Sequence, residues 1–316
     1  MQNSPHIAVL VATYNGADFL EQQLDSLLSQ TYTNFTIYIS DDNSTDTTHA
    51  ILKRYKLQYP DKIFYSINKR NFGFVKNFEK LLQENQSQYY AFCDQDDIWH
   101  KDKLLLELEA ILQLELQYID KACLVHTDLS MIDEDGKIIK ESYFKYRKYT
   151  LKNTKDLGHI LGPCGVVGNT LLINQSLKDL VLPFPENLDM HDYWIAVNCE
   201  LFGVRKTIFK PLVKYRIHTH NSSNSKKKLK SSFFHFSRDM QLPNLETNRK
   251  IFLPLLQKKL LKEEDKEVLE KYLEYLNFAN SKIIIYFNLL KYSLVKRDLV
   301  FRVKLLFKWF VTKRYR

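Results

Sequence analysis

Apolar runs alternate with helix-like segments over the first 116 residues of the chain. Short continuous apolar runs, which are typical of strands buried on both faces, each precede a longer segment with apolar residues at helical spacing. The predicted strands are residues 7–12, 35–40, 63–67 and 89–93, and a predicted helix follows each of them, the most regular over residues 101–116. This order predicts an α/β fold on a mainly parallel sheet.

Polar clusters stand directly after three of the predicted strands. They are Thr13-Tyr14-Asn15, Asp41-Asp42-Asn43 and Asp94-Gln95-Asp96-Asp97. Because ligands of parallel sheets bind beyond the carboxyl ends of the strands, we expect the clusters to converge on one crevice. Three carboxylates so close together repel one another unless a cation neutralises them, and Mg²⁺ or Mn²⁺ suits such oxygen ligands. The alternative is a charge cluster at the start of the next helix; the two facing clusters favour the cation.

Missing motifs disfavour several enzyme classes. The chain has no G-x-G-x-x-G after its first strand, no G-x-x-x-x-G-K-[S/T] and no G-x-S-x-G. A dinucleotide-binding enzyme, a P-loop NTPase and an α/β-hydrolase are therefore disfavoured. Four widely spaced cysteines indicate neither a disulfide framework nor a zinc ribbon and suit a reducing compartment. With no recognisable export signal and no apolar stretch of about 18 residues, we expect a cytoplasmic protein.

Charge divides the chain into two parts. Residues 1–220 hold 24 Lys and Arg against 28 Asp and Glu, whereas residues 221–316 hold 22 against 9. The polar and then basic stretch 221–228 is typical of a linker. We therefore predict a catalytic domain over residues 1–222 and a helical basic extension over residues 223–316. The acidic first part argues against a nucleic-acid-binding protein.

The last 26 residues have the character of a basic amphipathic helix. Leu299, Val303, Leu306 and Phe310 form one apolar stripe, and nine Lys and Arg face a single acidic residue over residues 291–316. This pattern predicts that the segment lies on an anionic membrane surface, which places the protein peripherally on the inner face of the cell membrane. The alternative is a helix packed on the protein's own core with a solvated basic face.

Six motifs together carry a resemblance to a known family. They are VATYNG (11–16), ISDDNSTD (39–46), NFG (71–73), FCDQDDIW (92–99), MHDYW (190–194) and YRIHTHN (215–221). In order and spacing they resemble the family 2 glycosyltransferases, whose GT-A fold is a Rossmann-like, mainly parallel sheet flanked by helices. The wording of the last three motifs is most similar to bacterial rhamnosyltransferases of cell-wall polysaccharide or capsule synthesis.

The resemblance implies roles for individual positions. It implies nucleotide-sugar contacts for Thr13, Tyr14, Asn15, Asp42, Asn71, Lys76 and Asp94. It implies that Mn²⁺ or Mg²⁺ is held by Asp94, Asp96 and His218, with His220 as the alternative to His218. It implies that Asp192 is the catalytic base of an inverting enzyme, for which a charge at a helix N-terminus is the alternative. The chain departs from the family at His191, where many relatives have an acidic residue.

The expected reaction moves a sugar from a nucleoside-diphosphate donor to a lipid-linked or polysaccharide acceptor. L-Rhamnose from dTDP-rhamnose is the first donor considered, and a UDP-hexose (glucose, galactose or GlcNAc) is the alternative. A nucleotidyltransferase is disfavoured because the loop after the first strand, residues 13–16, is not a Gly-rich loop with Arg and Lys. A catalytically silent scaffold that binds nucleotide sugar and membrane is the alternative outside the enzymes.

Overall fold

The computed structural model describes residues 4–219, 245–277 and 282–311. Within them, nine strands form one sheet. The strands are β1 (Ile7–Thr13), β2 (Phe35–Asp41), β3 (Ile63–Ile67), β4 (Tyr89–Asp94), β5 (Ile98–Trp99), β6 (Cys123–Ile132), β7 (Ile138–Lys140), β8 (Leu171–Asn174) and β9 (Val204–Arg216).

Twelve α-helices flank this sheet in the described part of the chain. They are α1 (Leu20–Leu28), α2 (Thr48–Gln58), α3 (Phe74–Glu84), α4 (Lys103–Gln117), α5 (Tyr143–Arg147), α6 (Leu157–Leu161), α7 (Gln175–Val181), α8 (His191–Phe202), α9 (Leu245–Phe252), α10 (Glu263–Asn277), α11 (Lys282–Lys291) and α12 (Leu299–Val311). None of the described helices combines the length and the apolar character that crossing a bilayer requires.

The strand order is β3-β2-β1-β4-β8-β6-β9-β5, with β7 beside β6. Strands β1 to β4 run parallel, β8 is antiparallel to both β4 and β6, and β9 runs parallel to β6. The apolar runs that predicted β1 and β4 are buried along nearly their whole length, as expected for strands covered on both faces. The predicted fold class, a mainly parallel α/β sheet of the GT-A type, is confirmed.

Strand register brings the predicted polar clusters to one edge. Thr13 at the end of β1 pairs with Asp41 at the end of β2, and Ala12 pairs with Asp94 at the end of β4. The chain therefore leaves three neighbouring parallel strands at the same level. The loops that follow line a shared crevice, which is where ligands of such sheets bind.

The C-terminal helices join the core of the sheet. Phe252 of α9, Leu269 of α10 and Leu289 of α11 belong to the same buried cluster as Leu10 of β1 and Ile195 of α8. The predicted linker 221–228 lies outside the described residues. What the structure adds is that the extension and the sheet bury apolar surface against each other.

Between α11 and α12, residues 292–298 form a connection that we call the C-terminal strap. It crosses α6 so closely that only glycine fits beneath it. A Cβ atom on Gly158 would lie 1.6 Å from the carbonyl oxygen of Tyr292, and one on Gly162 would lie 2.0 Å from that of Leu294. The backbones of strap and helix are therefore in direct contact.

Candidate active site

The Asp41 carboxylate connects the end of β1 to the loop after β2 by hydrogen bonds. Its carboxylate is buried and accepts hydrogen bonds from Thr13 Oγ1 at 2.8 Å, from the backbone N–H and hydroxyl of Ser44 at 2.9 and 2.6 Å, and from His49 Nε2 at 2.7 Å. With its acceptor positions occupied by the protein, Asp41 holds the crevice wall in shape. The predicted contact residue Thr13 is 2% exposed and directs its hydroxyl at this carboxylate.

Asp42 fixes the Asn71–Gly73 segment. Its two carboxylate oxygens accept from the backbone N–H of Phe72 at 2.9 and 3.0 Å, and from that of Gly73 at 2.7 Å. The side-chain amide of Asn68 adds a bond of 2.9 Å, and Asn71 Oδ1 accepts from the N–H of Gly73 at 2.9 Å. The structure therefore brings the predicted residues Asp42 and Asn71 together, with Asp42 tied to the loop that carries Asn71.

Lys76 lies on the first turn of α3, beyond that loop. Its ammonium group lies 2.6 Å from Glu79 Oε2, and its side chain is about half exposed. Glu79 also accepts from the backbone N–H of Phe184 at 2.7 Å through its other oxygen. No contact between Lys76 and the loops of the crevice is found in the described part, so its role toward the donor stays a prediction.

Gln95 joins the loop after β1 to residues 94–97 at the end of β4, which we call the aspartate loop. Its side-chain amide accepts from the backbone N–H of Tyr14 at 2.8 Å and donates to the Tyr14 carbonyl at 3.0 Å. Asn15 adopts a left-handed backbone (φ 48°), and its side chain accepts from the N–H of Thr45 at 2.8 Å. A Cβ atom on Gly16 would lie 2.3 Å from Gln95 Oε1, so a side chain at this position would displace the end of the Gln95 side chain. Tyr14 is left about half exposed over the crevice.

Asp96 and His218 meet at the centre of the crevice. His218 Nε2 lies 2.7 Å from Asp96 Oδ2, although 122 residues separate them, and the imidazole packs against the ring of Phe19 at 4.9 Å. Asp94, at the end of β4, is partly buried close by. Burial, followed by the charges of Asp96 and Asp192, raises the pKa of Asp94 to about 7. Negative charge thus accumulates here beyond what the protein neutralises.

Asp97 does not cap the following helix, α4, which begins after Asp102. Its buried carboxylate instead connects the aspartate loop to other parts of the chain. It is fully buried, accepts from the backbone N–H of Arg216 at 3.0 Å and is bonded to the side-chain amide of Asn169. Burial, followed by the charges of Asp96 and Asp94, raises the pKa of Asp97 well above its usual range. The sequence pattern does not single out Asn169 or Arg216 as site residues, although Arg216 stands in the YRIHTHN motif (215–221), and it places Gln95 in a predicted polar cluster without a role of its own.

Asp192 lies at the first turn of α8 with its carboxylate fixed by the backbone. The N–H of Gly168 donates to one oxygen at 3.0 Å, and the N–H of Tyr193 donates to the other at 2.7 Å. Burial raises the pKa of Asp192 to about 6. Two held oxygens and a pKa close to neutrality suit a carboxylate that takes up a proton during a reaction.

His191 packs behind this carboxylate. Its ring lies among Phe78 at 4.4 Å, Phe92 at 5.4 Å and Phe74 at 6.0 Å, and burial lowers its pKa to about 3. Neither ring nitrogen has a hydrogen-bond partner among the described residues. His191 is therefore a neutral, packed side chain.

The donors predicted for a metal ion are only partly assembled. Within residues 4–219, 245–277 and 282–311, no three or more His, Cys, Asp and Glu side chains stand in an arrangement that could hold a metal ion. Asp96 and His218 are in contact, whereas His220 lies outside the described residues. One carboxylate and one imidazole fit Mn²⁺ or Mg²⁺ chemically, because such ions complete their shell with water and substrate phosphates.

Comparison with known proteins decides the family. The family model for glycosyl transferase family 2 matches residues 8–173, more than half of the chain. The chain belongs to glycosyl transferase family 2. The family predicted from the six motifs is confirmed, and with it the predicted enzyme class, a glycosyltransferase, at the level of the family.

Curated relatives of this family 2 chain match it over part of their length. The dTDP-rhamnosyl transferase RfbG of Shigella flexneri is 43% identical over 99 residues, which are 30% of this chain and 34% of RfbG. The putative teichuronic acid biosynthesis glycosyltransferase TuaG of Bacillus subtilis is 32% identical over 132 residues, which are 42% of this chain and 50% of TuaG. The matches thus span between a third and a half of these two relatives.

Solved structures share the fold of this family 2 chain. S. aureus TarS 1-349 in complex with UDP-GlcNAc superimposes with a TM-score of 0.61 at 19% identity, covering 96% of this chain and 80% of TarS 1-349. The mannosyltransferase PcManGT from Pyrobaculum calidifontis, in complex with GDP-Man and Mn²⁺, gives 0.56 at 16% identity and covers 100% and 82%. At these identities the likeness concerns the fold.

Proposed function

We propose that this protein is a metal-dependent, inverting glycosyltransferase that moves a sugar from a nucleoside-diphosphate donor to a glycan or lipid-linked acceptor in cell-surface glycan synthesis. The observation that carries the proposal is the convergence of Asp94, Asp96 and His218 with Asp192 at the carboxyl ends of β1, β2 and β4. One side of this crevice suits a cation and a diphosphate, and the other holds a carboxylate that suits a base.

The base in this proposal is Asp192. The N–H groups of Gly168 and Tyr193 keep its two oxygens in place, so the carboxylate needs no reorientation when an acceptor hydroxyl approaches. Its pKa of about 6 leaves it ionised at neutral pH yet basic enough to accept the hydroxyl proton. A single base opposite the departing nucleotide leads to inversion at the anomeric carbon.

The donor's diphosphate faces the aspartate loop in this proposal. Asp96 and His218, with Asp94 beside them, would hold a Mn²⁺ or Mg²⁺ ion, which neutralises charge on a departing diphosphate when it is bound. The raised pKa of Asp94 supports a cation here. It shows that burial and the neighbouring carboxylates disfavour the ionised form, and a bound cation would favour that form again. Tyr14, Asn15, Asp42 and Asn71 line or support the nucleotide side in this proposal, and Lys76, about half exposed on α3, would reach the donor.

For the donor sugar we propose L-rhamnose carried by dTDP. The partial match to a dTDP-rhamnosyl transferase at 43% identity supports it. A UDP-hexose is the second candidate, and a structural neighbour that covers 96% of this chain and is complexed with UDP-GlcNAc favours it. Pocket shape decides between hexose and deoxyhexose, because a single hydroxyl changes how the site's polar groups are paired.

For localisation we propose peripheral binding to an anionic membrane through residues 291–316. Leu299 and Val303 of α12 are 74% and 56% exposed, and Phe287 of α11 is 63% exposed, so apolar side chains face outward among basic ones. Exposed apolar groups beside excess Lys and Arg suit an anionic lipid surface. Sedimentation with phosphatidylglycerol vesicles tests this: Leu299→Asp with Val303→Asp should reduce binding, and unchanged binding would contradict it.

A donor screen tests the reaction itself. Purified protein is incubated with dTDP-rhamnose, UDP-glucose, UDP-galactose and UDP-GlcNAc, and the released nucleotide is measured with Mn²⁺ or with EDTA. We expect Mn²⁺-dependent release of dTDP that disappears in Asp96→Ala. Release of UDP alone would move the donor to the second candidate. Binding without turnover would indicate the scaffold, and release of pyrophosphate would indicate a nucleotidyltransferase.

A further inference from the structure

Arg216, the last residue of β9, lies fully buried beneath the aspartate loop. Its guanidinium donates from Nε to the carbonyl of Asp96 at 3.0 Å, from Nη1 to the carbonyls of Glu134 at 2.7 Å and Asp133 at 3.2 Å, and from Nη2 to Gln22 Oε1 at 2.6 Å. All three guanidinium nitrogens thus donate, to groups on three different segments of the chain.

The backbone of Arg216 continues this contact to the next aspartate. Its N–H donates to Asp97 Oδ1 at 3.0 Å, so one residue holds Asp96 by its carbonyl and Asp97 by its carboxylate. Two residues further on, His218 Nε2 lies 2.7 Å from Asp96 Oδ2. Phe19 packs against both, with its ring 4.7 Å from the Arg216 guanidinium and 4.9 Å from the His218 imidazole.

This geometry fixes the separation between two candidate metal donors. The carboxylate of Asp96 belongs to the loop after β4, and the imidazole of His218 belongs to the chain after β9. Arg216 donates a hydrogen bond to the backbone carbonyl of Asp96, and its own backbone leads two residues further to His218. A planar guanidinium with donors in a fixed fork holds this arrangement, whereas a lysine offers one flexible ammonium group.

We propose that Arg216 is a positioning residue, which sets Asp96 and His218 at the spacing that Mn²⁺ and a nucleoside diphosphate require. This inference rests on the proposed function, because it concerns the same site. Groups that orient metal ligands typically change metal affinity by about 10- to 100-fold when they are lost. A merely structural arginine would change stability and leave that affinity in the folded protein untouched.

The test measures binding of Mn²⁺ with dTDP, or with UDP, by titration calorimetry on the full chain. We expect Arg216→Lys to weaken Mn²⁺-dependent nucleotide binding by about 10- to 100-fold and to leave nucleotide binding in EDTA unchanged. Arg54→Lys is the matched control, because Arg54 is about half exposed and pairs with Glu21 on the surface. It should bind like the wild type.

Gln22→Ala keeps the test decisive if Arg216→Lys fails to fold. Gln22 lies on the outer side of α1 and receives one hydrogen bond from the guanidinium. Its loss should weaken Mn²⁺-dependent binding in the same direction by a smaller factor, about threefold or more, at an unchanged melting temperature. If Arg216→Lys folds and binds like the wild type, the inference is overturned. If Arg216→Lys does not fold, Gln22→Ala decides, and wild-type binding by Gln22→Ala overturns the inference. If the wild type shows no Mn²⁺-dependent binding at all, the proposed function fails first.

Discussion

The two sides of the crevice are built in different ways. On the donor side, Thr13, Asp42 and Gln95 are hydrogen-bonded to partners at the ends of neighbouring strands or in the loops after them. All of these partners lie within the first hundred residues. On the base side, Asp192 is held by the N–H of Gly168, and the segment before Gly168 is held by the far end of the chain. The nucleotide loops of the donor side are thus locally encoded, whereas the base side depends on distant residues, and the aspartate loop also has distant partners in Arg216 and His218.

The C-terminal strap shows how strong this dependence is. Arg297 donates to Asp156 Oδ1 at 2.5 Å and to the carbonyl of Thr150 at 2.7 Å. Tyr193, next to the base, donates to the carbonyl of Leu161 at 2.6 Å and lies 3.0 Å from the hydroxyl of Tyr272 on α10. The basic extension is therefore part of the wall that holds the base, in addition to any role at a membrane.

The largest expected effect comes from removing the extension. A chain of residues 1–222 would expose the partners of Phe252, Leu269 and Leu289 in the shared core. Each fully buried large apolar side chain contributes roughly 1.5–3 kcal/mol, and the total stability of a domain is only about 5–15 kcal/mol. We expect the truncated chain to be unfolded or aggregated by circular dichroism and size-exclusion chromatography.

A milder deletion separates the two roles of the extension. Deletion of residues 312–316 keeps Phe252, Leu269 and Leu289 in the chain, so we expect the fold to stay intact and use this shorter deletion as the control. If the 1–222 chain folded with a cooperative melt and kept its nucleotide binding, the base side would be as self-contained as the donor side, and the contrast between them would be wrong.

The next largest effect separates the two sides by function. Asp192→Asn should lower kcat by about 10²- to 10⁴-fold, because an amide cannot accept the acceptor's proton. Binding of dTDP or UDP should stay within about threefold of the wild type, since the donor side makes its own contacts. Stopped turnover with intact calorimetric binding is the expected pair of results; a parallel loss of nucleotide binding would contradict the division.

The same residue predicts a pH dependence. Asp192 must be ionised to act as a base, and burial raises its pKa to about 6. In the wild type, kcat/KM should therefore be level above about pH 6 and fall about tenfold per pH unit below it. The residual kcat/KM of Asp192→Asn should not show this decline below pH 6. A wild-type profile that stays level down to pH 4.5 would show that another group takes the proton.

The donor side was largely predictable from the sequence because its information is local. Continuous apolar runs ending in polar clusters predict Thr13 and the aspartates at one sheet edge. The register of β1 with β2 and β4 puts the ends of these strands at the same level. Long-range partners were not predictable in the same way. No local pattern indicates that Arg216 meets Gln22, or that Gly158 meets Tyr292, because packing alone brings them together.

The smallest effect compares two ion pairs that tie the strap to the same segment. Arg297 pairs with Asp156 at side-chain exposures of 20% and 6%, whereas Lys148 pairs with Asp298 at 61% and 23%. Arg297→Met should lower the free energy of unfolding by roughly 1–3 kcal/mol, because a buried carboxylate and the Thr150 carbonyl lose a donor. Lys148→Met should change it by less than about 1 kcal/mol. Urea melts of both variants check this, and equal changes would show that burial of the strap does not matter.

The central claim is that the aspartate loop and His218 bind a divalent ion together with a donor's diphosphate. A crystal soaked with Mn²⁺ and dTDP or UDP, with data collected at the manganese absorption edge, tests it most directly. The account predicts one anomalous peak in coordination distance of Asp96 and His218, with the diphosphate oxygens completing the shell. A nucleotide bound in this crevice with no manganese near Asp96, or manganese bound elsewhere, would contradict it.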